Sequence, residues 1–387
     1  MTAKSGVFGA AAYATETAEQ LVLGTVRDTH LAIAERTWRI GDLVTGGRSL
    51  PHRVHDTLSR IVYGSIGVSL RGTSKGFRTA DAHGFGGQLE ATARGRFIVS
   101  AVNGLIGDRL VDESPELAIQ ISVRHNGHDI PLEPEQLAKA FPEAGEDLVV
   151  FVHGLSESEA FWDRRREQSG GNYGERLAYE QGWSPVFLRV NTGLPIAENG
   201  VALASLLDKL VEAWPTDVRR VALVGHSMGG LIVRAACAVS TFSERPWNEL
   251  VTNVVLLGTP NLGAPLERAA NFGARALGIL PESAPFGRIL EYRSSGILDL
   301  RNGLAHDVQN LPHARYHLVG ATLTKSIRHP VAEVFGDLLV QFHSATGRPR
   351  RGREMFPGAD ILHVPKADHF DLLNHPKVYN AMKGWLA

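Results

Sequence analysis

Residues 220–236 read RVALVGHSMGGLIVRAA, in which one apolar run leads into a glycine-rich turn and a second apolar run leaves it. The first run predicts a buried strand and the second a helix. Gly225 and Gly229 let strand and helix approach closely, so that Ser227 takes a strained backbone angle and its hydroxyl points out of the sheet. The alternative is a glycine-rich turn with an incidental serine. With a strand and a helix on either side, the G-x-S-x-G pattern predicts a nucleophile elbow.

The whole composition is that of an ordinary globular protein. The chain has 387 residues, a hydrophobic content of 43% and a formal net charge of -1. This length suffices for one large α/β domain with additions or for two domains. Because a near-zero net charge creates no overall field that attracts nucleic acid, we expect no nucleic-acid partner.

The chain has a single cysteine and no apolar stretch of membrane-spanning length. Cys237 has no second cysteine with which to form an intrachain disulfide, and its place in the predicted helix is typical of a buried core residue. No stretch approaches the ~20 apolar residues of a membrane span, and no apolar signal-peptide core follows Lys4. We therefore expect a cytoplasmic location.

Short apolar, β-branched segments alternate with helix-like sequence after about residue 113. They are Leu148–Val152, Val186–Val190, Val221–Val224, Val254–Leu257, Arg315–Gly320 and Ile361–Val364. This alternation predicts a mostly parallel central sheet with helices on both faces, that is, an α/β fold. The alternating run Leu117–Val123, followed by a turn at Asn126 and Gly127, predicts an antiparallel edge.

Two regions depart from this rhythm. Residues 1–112 have helix-spaced apolar positions and few strand signals, which predicts an N-terminal helical region before a catalytic domain at 113–387. Its apolar faces need a partner, which could be the following domain, a second copy or a membrane surface. Residues 261–312 carry mixed helical pieces, prolines and glycines and predict an inserted cap, with a solvated insertion as the alternative.

A serine hydroxyl is a poor nucleophile at neutral pH, so it needs a general base. His369 lies just beyond the last predicted strand, where a loop histidine can reach back over the sheet, and it is the predicted base. His363 lies within that strand and has the position of a core or edge histidine. His375 begins the final helix, where it can act as a cap.

The base in turn needs an acid that orients it, and Asp337, in Gly336-Asp337-Leu338, is the predicted acid. It follows the strand at Arg315–Gly320. A helix cap or turn cap is the alternative role for this aspartate. Three further acids lie close to His369 in sequence, where neighbours rarely have the geometry to orient a ring: Asp360, Asp368 and Asp371.

An oxyanion hole is expected after the strand Leu148–Val152, where His153-Gly154-Leu155 begins the next loop. The predicted donors are the backbone N–H groups of Leu155 and of Met228, the residue after the nucleophile. The alternative for the histidine and glycine is an ordinary strand terminus.

These motifs together resemble the α/β-hydrolase superfamily, in particular its lipase-like branch. The resemblance rests on the strand with its His-Gly-Leu, on the elbow, on Gly-Thr-Pro-Asn-Leu-Gly at 258–263, and on the contexts of Asp337 and His369, and it covers about residues 115–387. The 258–263 segment looks like the turn before the cap in bacterial triacylglycerol lipases and in proteins related to the GPI inositol-deacylase. The resemblance implies an esterase or lipase with Ser227, Asp337 and His369 as its triad. The N-terminal helical region belongs to no recognised part of that family's core.

The predicted function is hydrolysis of a small-molecule or lipid acyl ester through an acyl-serine intermediate, with no organic cofactor. No metal is expected, since the sequence has no H-E-x-x-H or Cys/His ligand spacing. The same triad could serve a thioesterase, an amidase or an acyltransferase, and a non-catalytic interaction protein is the alternative from another class. A basic loop suggests membrane-surface contact, with a solvated loop as the alternative reading. Its arginines are Arg348, Arg350, Arg351 and Arg353.

Overall fold

The computed structural model describes residues 93–239, 246–264, 294–304, 308–330, 333, 336–349 and 352–387. Most of the predicted N-terminal helical region, most of the predicted cap, and Arg350 and Arg351 of the basic loop lie outside these residues. The described residues from Arg96 onward belong to one compact unit.

Eight strands of the described part form one sheet, in the order β2-β1-β4-β3-β5-β6-β7-β8. Strands β3 to β8 are parallel, while β1 pairs antiparallel with both β2 and β4. The strands are β1 (Ser122–His125), β2 (His128–Ile130), β3 (Asp147–Val152), β4 (Ser184–Arg189), β5 (Arg220–His226), β6 (Val251–Leu257), β7 (Arg315–Thr322) and β8 (Asp360–Pro365). The predicted mostly parallel sheet with an antiparallel edge is confirmed.

Helices cover both faces of this sheet. They include α1 (Ala93–Glu113), α2 (Pro134–Ala140), α3 (Arg166–Ser169), α4 (Tyr173–Gln181), α5 (Ile196–Ala213), α6 (Met228–Cys237), α7 (Ser295–Asn302), α8 (Phe342–Ala345) and α9 (Pro376–Trp385). None of those in the described part is long and apolar enough to cross a membrane. The helix between β4 and β5 is α5, which ends before Trp214, whose extended backbone precedes Pro215.

The two faces of the sheet have separate apolar cores, and β3 contributes to both. Leu148, Val150 and Val152 pack in the core that also contains buried residues of α5 and α6. Val149 and Phe151 pack in the other core, with buried residues of α4 and α9. Because every residue of β3 is buried, its sequence is continuously apolar after the first position instead of alternating.

The antiparallel edge begins later than the sequence pattern predicts. Strand β1 starts at Ser122, because the preceding backbone is bonded to Asn103 of α1. The side chain of Asn103 accepts from the Ile119 N–H at 2.8 Å and donates to the Leu117 carbonyl at 2.8 Å. These bonds replace the ladder that the predicted strand Leu117–Val123 would need.

The predicted helix after the elbow buries Cys237, as expected for a core residue. Burial raises the pKa of its thiol to about 12. The thiolate is therefore disfavoured at neutral pH, and the side chain packs as a small apolar group.

Candidate active site

The turn between β5 and α6 holds Ser227 in a strained conformation. Its φ is 53° and its ψ is -124°, in the region that disfavours residues other than glycine. The neighbouring glycines make this turn sterically feasible. A Cβ on Gly229 would lie 2.3 Å from the Val152 carbonyl oxygen, and one on Gly225 would lie 2.5 Å from the backbone nitrogen of Gly230. The backbone at Ser227 thus has the geometry that the elbow pattern predicts.

His369 and Asp337, which lie 32 residues apart in sequence, form a buried hydrogen-bonded pair. The distance between Nδ1 of His369 and Oδ2 of Asp337 is 2.8 Å. The backbone N–H of His369 also donates to the Asp337 carbonyl, at 3.0 Å. Because an ionised carboxylate only accepts, Nδ1 carries the hydrogen and Nε2 of the neutral ring carries the lone pair.

Nε2 of His369 is buried and has no hydrogen-bond partner among the described residues. His369 and Ser227 line the same cleft. Most of the other lining residues are apolar: Leu155, Pro260, Ala264, Leu300, Leu339, Val340 and Phe370. The ring that carries this nitrogen therefore lines the cleft that contains the serine.

The electrostatic surroundings of His369 favour its protonated form. Burial alone lowers the pKa of its imidazole, whereas the charge and hydrogen bond of Asp337, with the charges of Glu157 and Asp368, raise it. The net result is a pKa above the ordinary value for histidine. These surroundings would thus stabilise a proton that this ring accepts.

The two other candidate histidines have different partners. Nε2 of His363 in β8 lies 2.8 Å from the hydroxyl oxygen of Thr322 in the neighbouring strand β7. Nδ1 of His375 accepts from the Lys377 N–H at the start of α9, so this histidine caps the helix. His363 is part of the sheet edge and His375 of a helix terminus.

The competing aspartates also have other partners. Asp360 lies 2.9 Å from Nδ1 of His317, at the amino ends of β7 and β8. Asp368 and Asp371 form a capping box at the start of the short helical segment His369–Leu372. The structure thus brings Asp337 to the ring of His369, while Asp368 and Asp371 act as caps and Asp360 contacts His317.

The loop after β3 lies directly beside the elbow. Val152 pairs with Gly225, and a Cβ on Gly154 would lie 2.9 Å from the Cβ of Ser227. His153 fixes this loop, since its Nε2 accepts from the Val190 N–H at 3.0 Å and its Nδ1 donates to the Gly154 carbonyl at 2.9 Å. Burial lowers the pKa of His153, which favours the neutral ring that these two bonds require. Leu155 lines the cleft, and Met228 is the first residue of α6.

Two buried polar residues at this site were missed by the sequence analysis. Glu157 lines the cleft, and its Oε2 accepts from the Gly154 N–H at 2.7 Å. The same oxygen lies 3.0 Å from Nδ1 of His226, the residue before the nucleophile. The only sequence signal for them is an acidic residue in the loop after β3 and a histidine inside the elbow. Within the described ranges, no group of three His, Cys, Asp or Glu side chains is arranged to hold a metal ion.

Several solved structures are similar to this chain at low sequence identity. The lipase BlEst2 of Bacillus licheniformis, in mature form, is 20% identical with a TM-score of 0.43, and the match covers 69% of this chain and 97% of that chain. The carboxylesterase CesB of Bacillus subtilis is 12% identical with a TM-score of 0.40, covering 76% and 97%. The Pyrococcus furiosus esterase PF2001 is 12% identical with a TM-score of 0.42, covering 63% and 82%.

No curated protein matches the sequence at a significant level. The alpha/beta hydrolase family matches residues 149–382, a range that begins in β3 and ends in α9. It includes the elbow, the loop after β3 and the paired aspartate and histidine. Since this match covers more than half of the sequence, the chain belongs to the alpha/beta hydrolase family.

Proposed function

We propose that this hydrolase cleaves carboxylic esters through an acyl-serine intermediate. Ser227 is the nucleophile, His369 the general base and Asp337 the acid that orients the base. The observation that carries the proposal is the bond between Asp337 and Nδ1 of His369, with that ring lining the same cleft as Ser227. In structures without substrate, the contact between base and nucleophile is often long and tightens on binding.

The chemistry follows from these positions. The hydroxyl oxygen of Ser227 attacks the acyl carbonyl carbon while Nε2 of His369 takes the hydroxyl proton. The imidazolium, stabilised by Asp337, then gives that proton to the leaving alkoxide. A water molecule repeats the sequence on the acyl-enzyme and releases the carboxylic acid, so that serine and histidine return to their starting states.

The developing oxyanion needs donors, and we assign this role to the backbone N–H groups of Leu155 and Met228. Leu155 lines the cleft beside Ser227, and Met228 begins α6, whose N-terminal dipole favours negative charge. The neighbouring Gly154 N–H is already bonded to Glu157. Loss of one such donor typically costs ~2.7–4 kcal/mol of transition-state stabilisation.

The cleft supports an apolar acyl group as the substrate portion bound next to Ser227. Each methylene buried there contributes ~0.8 kcal/mol at most, so kcat/KM should rise by up to ~4-fold per carbon until the cleft is filled. No organic cofactor enters the proposed steps.

The test compares covalent labelling by a fluorophosphonate with hydrolysis of p-nitrophenyl esters of increasing chain length. Wild type, Ser227→Ala, His369→Ala and Asp337→Asn are measured beside Asp360→Asn. Like Asp337, Asp360 lies next to a histidine, with 2.9 Å between its carboxylate and Nδ1 of His317. This second pair is at the amino ends of β7 and β8. We expect wild type and Asp360→Asn to label and turn over, and Ser227→Ala to do neither.

Other outcomes select the alternatives. Labelling without ester turnover, but with release of a thiol or an amine from matched substrates, would favour a thioesterase or an amidase. Transfer of the acyl group to an added alcohol in preference to water would favour an acyltransferase. A folded wild type that neither labels nor turns over any substrate would refute the triad and favour an interaction protein.

A further inference from the structure

Two buried titratable residues beside the cleft take no part in the proposed mechanism. The side chains of Glu157 and His226 belong to residues that are 2% and 0% exposed. Placing a carboxylate and an imidazole in such surroundings is costly unless their hydrogen bonds are satisfied. Their partners therefore indicate what the pair does.

The pair links three separate segments of the site. Oε2 of Glu157 accepts from the Gly154 N–H in the loop after β3. The same oxygen contacts Nδ1 of His226 in the elbow, and Nε2 of His226 lies 3.3 Å from the backbone carbonyl oxygen of His369. One carboxylate and one ring thus connect the loop after β3, the residue before Ser227 and the segment that carries the base.

His226 faces two acceptor atoms, one at each ring nitrogen. A carboxylate oxygen and a backbone carbonyl oxygen only accept hydrogen bonds, so both contacts are hydrogen bonds only when both ring nitrogens donate. A ring that donates from both nitrogens is an imidazolium. Burial raises the pKa of Glu157, but the charge and hydrogen bond of His226 and the Gly154 N–H lower it, with a net pKa below the ordinary value. The carboxylate of Glu157 is accordingly ionised at neutral pH.

We propose that Glu157 and His226 form a buried ion pair. This pair positions the loop after β3 and the segment that carries His369 around Ser227. They are positioning residues, since they act through Gly154 and through the backbone of His369. The catalytic part of this inference rests on the proposed function.

The two charges of the pair must also balance each other, because either charge alone would oppose a step of the proposed reaction. The Cδ of Glu157 lies 3.1 Å from the position that a Cβ on Gly154 would take, and the Cβ of Ser227 lies 2.9 Å from it. An unpaired carboxylate there would repel a developing oxyanion. The rings of His226 and His369 have their centroids 4.9 Å apart, so an unpaired imidazolium would oppose protonation of the base.

The kinetic test uses Glu157→Gln, His226→Gln and the double variant, with Asp360→Asn as the matched control for loss of a carboxylate next to a histidine. We expect each single variant to lower kcat by ~10- to 100-fold with little change in KM, because small misplacements of catalytic groups cost this much. The double variant should lose no more than the worse single variant, since the pair acts as one unit. Additive losses, or an equal loss in Asp360→Asn, would contradict the inference.

The pH profile separates a charge effect from simple damage. The groups that act on His369 are Asp337, Glu157, Asp368 and His226. In His226→Gln the carboxylate of Glu157 acts on the base unopposed, so the acid limb of kcat/KM should move to higher pH. In Glu157→Gln the acid limb of kcat/KM should not move to higher pH. Lower activity in both variants with an unmoved limb would mean a structural role only.

A measurement independent of activity tests the ion pair itself. In protein labelled with ¹⁵N-histidine, the His226 resonances are those that disappear in His226→Gln. We expect both of their nitrogens to have imidazolium shifts at neutral pH, and a neutral ring in Glu157→Gln. A neutral ring in wild type would overturn the inference. If wild type hydrolyses no ester, the proposed function fails, while these shifts still decide whether the ion pair exists.

Discussion

At Asp337 each carboxylate oxygen has its own partners. Oδ1 accepts from the backbone N–H groups of Leu339 and Val340 at 3.1 and 2.8 Å, and Oδ2 holds Nδ1 of His369. The turn that makes this possible has positive φ at both flanking residues, 56° at Gly336 and 88° at Leu338. The carboxylate is therefore fixed by its own loop, and only one of its oxygens is left for the ring of His369.

This division of partners predicts the effect of Asp337→Asn. An amide in this position can direct its NH₂ group at Nδ1 and so stabilise the wrong tautomer of His369. In a triad of this kind the same change lowers kcat by ~10⁴-fold, and we expect a loss of that order with little change in KM. Steady-state hydrolysis of p-nitrophenyl esters measures it. A loss below tenfold would mean that Asp337 does not orient the base.

The raised pKa of His369 predicts how activity and stability depend on pH. Only the neutral ring accepts the serine proton, so kcat/KM should rise with pH through a pKa above the ordinary ~6.5. Stability has the opposite sign. A group whose pKa is higher in the folded than in the unfolded protein stabilises the fold fully below the unfolded pKa, and this contribution is lost as pH rises through the folded pKa. Rate profiles on wild type and denaturant unfolding of wild type against His369→Ala measure the two effects. An acid limb at or below 6.5 would contradict the assignment.

Among the helices, α1 has a role at the site that the sequence does not indicate. It is kinked at Ile106, where φ is -141°, and the carbonyls of Gly104 and Leu105 accept from the side chain and backbone of Ser294. Gly104 also packs against Ser156, which follows Leu155 in the loop after β3. Helix α1 therefore packs against the loop after β3, which carries one of the proposed oxyanion donors.

We predict that Gly104→Ala disturbs that loop. The new Cβ would lie 2.1 Å from Oγ and 2.9 Å from Cα of Ser156, and overpacking of this kind costs ~1–3 kcal/mol. Both the free energy of unfolding and kcat should fall. Gly384→Ala in α9 is the matched control, because its Cβ would meet nothing within 4 Å and alanine favours a helix by up to ~1 kcal/mol. Equal unfolding free energies in the two variants would refute the close contact.

At the scale of the whole molecule, the sequence predicts those features of the fold that depend on local sequence patterns. The central parallel strands β3, β5 and β6 appear as apolar, β-branched runs because they are buried on both faces. Strand β5 nevertheless extends from the predicted Val221–Val224 to Arg220–His226, since its pairing partners continue on both sides. The elbow is equally visible, because its glycines are required by local geometry.

What the sequence does not indicate depends on contacts between distant segments. The run Leu117–Val123 alternates like a strand, but the side chain of Asn103 takes its backbone bonds. Glu157 and His226 were overlooked because their pairing exists only once the loop after β3 and the elbow are side by side. The aspartate partner of His369 could be chosen only by assuming that sequence neighbours lack the right geometry.

One carboxylate bridges β4 and the antiparallel edge of the sheet. Glu159, next to the loop after β3, accepts from Nε and Nη2 of Arg189 in β4 at 2.9 and 2.8 Å and from Nε of Arg124 in β1 at 3.3 Å. Both arginine side chains are almost fully buried. Burial raises the pKa of Glu159, but the charges and hydrogen bonds of the arginines lower it, with a net pKa below the ordinary value.

Glu159→Gln should remove the charge that Arg189 and Arg124 share, while Arg124 keeps its contact with Asp129. Breaking a buried pair on one side costs ~3–5 kcal/mol, and we expect the free energy of unfolding to fall by this amount in urea titrations at neutral pH. Glu354→Gln is the matched control, because Glu354 pairs with Arg348 at 3.0 Å on the surface, where such pairs contribute ~0–1 kcal/mol. The stabilisation by Glu159 should hold above the carboxyl group's unfolded pKa and be lost as pH falls through its lowered folded pKa, so Glu159→Gln should converge towards wild type in acid. Equal losses in both variants at neutral pH would show that the edge is held by its strand pairing alone.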